Sequence, residues 1–222
     1  MKKTDTNYLN NLNKVEMKSI KQFSIIILVA ILFLSCARIF YSQDAFTLAH
    51  NQKIIAIIPP TVSIAAKKKI NAESMKEQQK TESVNFQKEM YSWMLKRKMQ
   101  GKISQEFQEI EITNAKLKKA GYPENLLTPT ELCEILGVDG VLTSNFGLSK
   151  PISEGAAIVE AFLVDSRSST NEVHVSLSIS DYSSKKMIWN YDYKSSGKLG
   201  SSPSKLVDDL MREATKKMPY MN

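Results

Sequence analysis

"TPTELCEILGVDGVLTSNFG", Thr128 to Gly147, is the stretch from which the fold is read. Thr128, Pro129 and Glu131 fit a capping box: a hydroxyl that accepts from a free backbone N–H, a proline whose missing N–H costs nothing in the first turn, and a carboxylate that reaches back. Leu132, Ile135 and Leu136 recur at helical spacing and form one apolar face. Gly137 is placed to end the helix. Val138-Asp139-Gly140 then turns the chain, and Val141 to Phe146 reads as a strand. A short helix, a tight turn and a strand in this order predict a sheet covered by helices.

The flanking segments extend this unit in both directions. Upstream, "KIIAIIPP", Lys53 to Pro60, carries a continuous Ile/Ala run bounded by two prolines, the pattern of a strand buried on both faces. Val62 to Asn71 reads as a basic loop or a frayed strand. A long helix is expected from about Glu73 to Met99, with Phe86, Met90, Trp93 and Met94 as its apolar stripe and the polar "ESMKEQQKTES" half exposed. "SQEFQEIEIT" reads as a half-buried strand through Phe107, Ile110 and Ile112. "TNAKLKKAG" reads as a short helix with Thr113 as N-cap and Gly121 closing it.

Downstream, "EVHVSLSISDY" alternates Val173, Val175, Leu177 and Ile179 with Glu172, His174, Ser176 and Ser178, which predicts a half-buried antiparallel strand. Ser183 to Lys186 turns the chain into "MIWNYDYKSSG". Met187, Trp189, Tyr191 and Tyr193 share one face of that hairpin partner, where they either pair and pack or meet a ligand. Ser202-Pro203 opens a last helix with Leu206, Val207, Leu210, Met211 and Ala214 inward. Leu148 to Thr170 is irregular; its apolar run Ala156 to Val164, with Ile158 and Phe162, either packs on the body or contacts a partner. The order of elements predicts an α/β fold: one mixed sheet flanked by helices, behind an N-terminal signal segment.

That segment is "SIIILVAILFLSCA", Ser24 to Ala37. The unbroken apolar run Ile25 to Leu34 is short for a span, which needs roughly 20 residues, and suits the core of a signal peptide. Lys18 and Lys21 precede it, and Ser35-Cys36 follows. Met17 opens a complete signal by itself, so residues 1–16 read as an upstream extension, 17–35 as a lipoprotein signal peptide, 36–52 as a tether and 53–220 as a single α/β domain. Leu32-Phe33-Leu34-Ser35-Cys36 resembles a lipobox, which would make Cys36 the lipid-bearing first residue. A signal anchor left in place, or an ordinary cut further along, are the other readings of the same stretch.

Composition narrows the function classes. Removing 35 of 222 residues leaves 187, enough for one domain with a real core. The removed part takes five lysines and two acidic residues with it, so the charge falls from +7 to +4. The remaining basic residues are dispersed, which does not describe a nucleic-acid binder. Only two cysteines are present. With Cys36 acylated, Cys133 has no partner and reads as a small buried hydrophobe. The two histidines, His50 and His174, lie in no metal-ligand or nucleophile motif. "GKLGSSP" has the wrong spacing for a phosphate loop. Asp208 and Asp209 are adjacent on a helix, about 100° apart, and cannot act as a catalytic pair. The expectation is a protein without catalysis and without a cofactor beyond the covalent lipid.

Two of these stretches carry a resemblance. "KIIAIIPP" resembles an opening K-I-A-V-L-P-F strand, and "ELCEILGVDGVLTSNFG" resembles an E-L-A-K-x-L-G-V-D-A-V-L-x-G helix-turn-strand. Together they resemble the bacterial envelope superfamily that includes the TolB amino-terminal domain, the curli-secretion lipoprotein and the lipoprotein activators of penicillin-binding proteins. "GSSPSKLVDDLMREATKKMPY", with "ISEGAA" before the hairpin, is similar to secreted proteins and lipoproteins of Bacteroidetes-type bacteria. The resemblance runs from about Lys53 to Tyr220 and rests on turns and buried strands, which specify fold more than function. It implies an envelope module that binds other proteins: an adaptor or assembly factor anchored at the periplasmic face of the outer membrane. Ala37 after Cys36, rather than Asp, agrees by resemblance with that membrane. The other placements are the periplasm or the medium, and the inner membrane. A subunit of an oligomeric secretion or transport channel is the alternative function, although Leu148 to Thr170 is too short for the two long hairpins of a curli-type channel. A hydrolase or ligand-binding receptor stands third. The expected contact residues are Ile158, Phe162, Trp189, Tyr191 and Tyr193.

Overall fold

The computed structural model describes residues 37–65, 71–149, 172–196 and 203–221. Among them run β1 (Arg38–Tyr41), α1 (Ala45–Asn51), β2 (Ile54–Ile57), β3 (Thr61–Ile64), α2 (Ala72–Met99), β4 (Glu106–Phe107), α3 (Ile110–Lys119), α4 (Pro129–Leu136), β5 (Gly140–Leu148), β6 (Glu172–Asp181), β7 (Lys186–Ser196) and α5 (Pro203–Ala214), followed by a 3₁₀ turn over Thr215–Lys217. The strands form one mixed sheet in the order β1-β7-β6-β5-β2-β4, with β3 also paired to β5. β2, β3, β4 and β5 are parallel where they pair, and β5-β6, β6-β7 and β7-β1 are antiparallel. This is the mixed sheet flanked by helices that the element order predicts.

The deciding stretch folds as its residues dictate. Thr128 Oγ1 accepts from the Glu131 N–H, and Glu131 reaches back to the Thr128 N–H at 2.7 Å. The Thr128 N–H and then the Thr128 hydroxyl, both donating to its carboxylate, hold the exposed Glu131 below its ordinary range. Gly137 takes a left-handed conformation, φ 67°, ψ 47°, which a residue with a Cβ adopts only at a cost. Replacing Thr128 by Ala is therefore expected to lower stability by about 1 kcal/mol. Equilibrium urea unfolding measures this; an unchanged midpoint would mean that the cap contributes nothing.

β2 and β3 are one strand interrupted at Ile58-Pro59-Pro60. Ile57 lies opposite Leu142 and Thr61 opposite Asn145, so four steps on one strand match three on β5. The extra residue is a bulge, placed where two prolines have no N–H for the ladder. Val62 to Ile64, read as loop or frayed strand, thus completes the ladder on β5.

The sheet has two unlike faces. Ile55, Ile57, Leu142, Phe146, Val175, Leu177, Ile179, Trp189 and Tyr191 join Phe86, Met90 and Met94 of α2 and Leu206, Leu210 and Met211 of α5 in the main core. Phe86 stacks on Phe146 with ring centroids 4.2 Å apart. On the other face, Ala56, Ile58 and Val141 pack under Leu117 of α3 and Leu132, Cys133 and Leu136 of α4. Ile55 to Ile58 is buried on both faces, as its unbroken apolar run implies.

Four expectations change. Residues 36–52, read as a tether, contain β1 and α1, and Ala45 and Ala49 are in the main core. Ile110 and Ile112, read as strand residues, lie in α3; β4 is only two residues long. Thr113, read as an N-cap, is inside α3, where its hydroxyl meets Gln108 Oε1 at 3.0 Å. The polar half of α2 is not wholly exposed: Gln78 and Glu82 are buried, and the Gln78 amide donates to Glu82 at 3.1 Å.

Candidate interaction face

Helices α3 and α4 pack over the end of β2 and the start of β5. Beyond them the same face of the sheet is lined by polar side chains. Register places Thr143, Asn145 and Gly147 of β5 beside Ser178, Ser176 and His174 of β6, and the latter beside Asn190, Asp192 and Lys194 of β7. All of these are half-buried or exposed. Their placement follows from the strict alternation of β6: when Val173, Val175, Leu177 and Ile179 face the core, Glu172, His174, Ser176 and Ser178 must face the other way.

This open face is ordered by side-chain hydrogen bonds. The Asn190 amide donates to Ser176 Oγ and Ser178 Oγ, each at 3.0 Å, and to the Leu177 carbonyl at 3.2 Å. At one end Glu172 pairs with Lys194 and lies 3.3 Å from His174 Nε2. The Lys194 hydrogen bond lowers the Glu172 carboxyl below its ordinary range, with the Lys194 and His174 charges adding to it. The result is an ordered array of donors and acceptors along the sheet surface, suited to binding a surface rather than enclosing a small molecule.

A second polar group ties the opposite end of the sheet together. The Gln52 amide donates to Asp181 Oδ1 at 2.8 Å and accepts from the Tyr220 hydroxyl at 2.5 Å. Asp181 Oδ2 also receives the Ser183 hydroxyl and the Ser184 N–H, both at 2.7 Å. Asp139 Oδ2 takes the N–H groups of Lys53 and Ile54 at 2.8 and 2.9 Å. A Cβ on Gly140 would come within 2.7 Å of the Gln52 amide, so the close approach requires glycine. These side chains are mutually satisfied, and their role is to fasten α1, the hairpin and the C-terminal Tyr220 to the sheet. Burial, with Asp181 and Asp139 nearby, pushes the Cys133 thiol to about 12, so it stays protonated and unreactive, as its apolar setting predicts.

The predicted contact residues fall differently. Trp189 and Tyr191 are core: Trp189 is fully buried and Tyr191 nearly so. Their rings stack 5.9 Å apart, with Tyr193 the next in line at 6.4 Å and only partly buried. Burial, then the neighbouring Tyr193 and Glu213, pushes Tyr191 to about 12. The stripe is closed to a partner at Trp189 and Tyr191 because the face that carries it is the one α5 covers. Cys36, Ile158 and Phe162 lie outside the described residues. The serine and asparagine face carries no signal of exposure in the sequence: its alternation is legible, but the polar half of an alternating strand gives no sign of whether a helix will cover it. Among the described residues no helix is long and apolar enough to cross a membrane, and no group of three or more metal-ligating side chains occurs.

No family model and no curated protein matches the sequence. Among solved structures the chain is similar to the lipoprotein GNA1162 from Neisseria meningitidis, at 13% identity over 74% of this chain and 96% of that one, TM-score 0.40. It is similar to the PelC dodecamer from Paraburkholderia phytofirmans, at 11% identity over 85% and 98% of the two chains, TM-score 0.36. It is also similar to the C-terminal domain of LpoB from Salmonella enterica, at 10% identity over 64% and 82%, TM-score 0.32.

Proposed function

We propose that this chain is a lipid-anchored protein of the bacterial envelope, without catalytic activity, whose domain binds other proteins as an adaptor or assembly factor. The observation that carries the binding part is the open sheet face, where Thr143, Asn145, Ser176, Ser178 and Asn190 stand in an ordered array that α3 and α4 leave accessible. The anchor part is supported by the run Ile25 to Leu34 followed by Ser35-Cys36. Ala37 after Cys36 favours the outer membrane, with the domain on its periplasmic face.

Two measurements test this reading. Intact mass with N-terminal peptide mapping, on protein from its own membranes, is expected to show acylated Cys36 as the first residue; an intact N-terminus or an unlipidated cut would remove the anchor. For the open face, a photo-crosslinking residue at Asn145 is expected to trap a discrete protein in cells. Asp192→Arg, a substitution of an exposed side chain, is expected to reduce that product tenfold or more while stability changes by less than about 0.5 kcal/mol. Crosslinks unaffected by Asp192→Arg would show that this face is not the binding surface. Light scattering separates the channel alternative: a ring of defined stoichiometry would replace the adaptor with a channel subunit.

A further inference from the structure

Among the described residues β1 is an edge strand, paired to β7 on one side only. It carries exposed apolar groups on both of its faces. Ile39, opposite Tyr191, is 37% exposed, and Phe40, opposite Asn190, is 48% exposed. Phe46, 54% exposed, stacks on Tyr41 with centroids 5.4 Å apart and continues the patch onto α1. Large exposed apolar groups at a sheet edge mark a contact, so Ile39 and Phe40 on this four-residue strand, with Phe46 beside them on α1, call for an occupant.

Chain length identifies it. One residue, Ala37, separates Cys36 from Arg38. At about 3.5 Å per residue, Ile39 is at most ~11 Å and Phe40 ~14 Å from the Cys36 Cα. There is no tether to hold the domain away from a membrane in which Cys36 is anchored. We propose that β1 and the start of α1 rest on the lipid surface, with Ile39, Phe40 and Phe46 in the interfacial layer. This rests on the anchor reading above and adds to it a fixed face of contact, which turns the domain from a freely swivelling body into an oriented one.

The area favours lipid over a second copy of the chain. Each half-exposed side chain offers on the order of 100 Å². The total, about 300 Å², is well short of the roughly 800 Å² per partner that a stable dimer buries. A covalently anchored domain needs far less, because the anchor sets the local concentration of lipid. Aromatic and aliphatic side chains at the headgroup level are the ordinary means of such contact.

The test uses the full acylated chain in vesicles of phosphatidylethanolamine and phosphatidylglycerol. A nitrobenzoxadiazole label is placed in turn at Phe40→Cys, Phe46→Cys and Leu126→Cys. Leu126 is 96% exposed, in the connection between α3 and α4, which pack over β2 and β5 on the far side of the sheet from β1. Cys133 is buried and does not compete for the label. Labels at 40 and 46 are expected to shift to the blue and to be quenched severalfold more than the label at 126 by a headgroup-level nitroxide lipid. Protein that floats with the vesicles but shows equal quenching at all three positions overturns the docking and leaves the anchor intact. Disulfide capture between two copies through position 40, without quenching, overturns it in favour of self-pairing. Protein that fails to float overturns the anchor, and the docking with it.

Discussion

Replacing Trp189 by alanine is expected to cost about 3–5 kcal/mol and to bring the domain close to unfolding. The indole is fully buried, stacks on Tyr191, and lies opposite Ile179 on β6 and Tyr41 on β1. It shares the main core with Leu206, Leu210 and Met211 of α5. Truncation would leave a cavity between two strands and a helix that are fixed elsewhere by their own contacts, so little of it can close. Its Nε1–H has no hydrogen-bond partner among the described residues. Trp189→Phe therefore loses no hydrogen bond and is expected to cost clearly less than the alanine variant. Urea unfolding of the three proteins decides the matter. A Trp189→Ala protein with an unchanged midpoint would return this position to the surface and restore it as a candidate contact.

The second large effect is expected at Asp181. Asp181→Ala would remove the acceptor for the Gln52 amide, the Ser183 hydroxyl and the Ser184 N–H together, with an expected loss of about 2–4 kcal/mol. The ionised carboxylate also makes this region sensitive to acid. Burial raises the affinity of Asp181 for a proton, but the hydrogen bonds from Gln52, Ser183 and Ser184 outweigh it and hold the group below its ordinary value. The unfolded chain then binds the proton more readily than the folded one. The stabilisation is complete above the ordinary aspartate value, about 3.9, and is lost as the pH falls through the lower value of the folded state. Asp181→Asn is expected to be less stable than the parent at neutral pH, with the gap narrowing below about pH 4. Urea midpoints across that range measure it; a gap independent of pH would show that the charge of Asp181 contributes nothing.

Both effects lie where local pattern and tertiary placement part company. The aromatic stripe Met187, Trp189, Tyr191 and Tyr193 reads equally well as packing or as a binding surface, because period-two alternation separates two faces without saying which is covered. In the fold, α5 closes Trp189 and Tyr191, while Met187 at the start of the strand remains 44% exposed. The Asp181 group was not legible at all. Gln52 and Asp181 are 129 residues apart, and Gln52 and Tyr220 168 apart. None of these residues sits in a motif, and only the sheet brings them together.

What the sequence by itself determined is local in origin. Thr128 and Glu131 cap a helix because their side chains reach free N–H groups within one turn. Gly137 ends it because it tolerates a left-handed backbone. Ile55 to Ile58 and Val173 to Ile179 state their own burial through a continuous run in one case and strict alternation in the other. These suffice for a mixed sheet flanked by helices. Tertiary structure alone decided the rest. Ile110 and Ile112 alternate like a strand, yet Ile110, Thr113 and Leu117 are the residues that become buried, on one side of a helix, while Ile112 stays 46% exposed. Arg38 to Asn51 looks like a linker because Ala45 and Ala49 are too small to form a visible stripe, yet both are fully buried beside the sheet. A three-residue alternation or a pair of alanines carries too little free energy to choose a conformation alone, so the choice passes to the long-range contacts that bury those side chains.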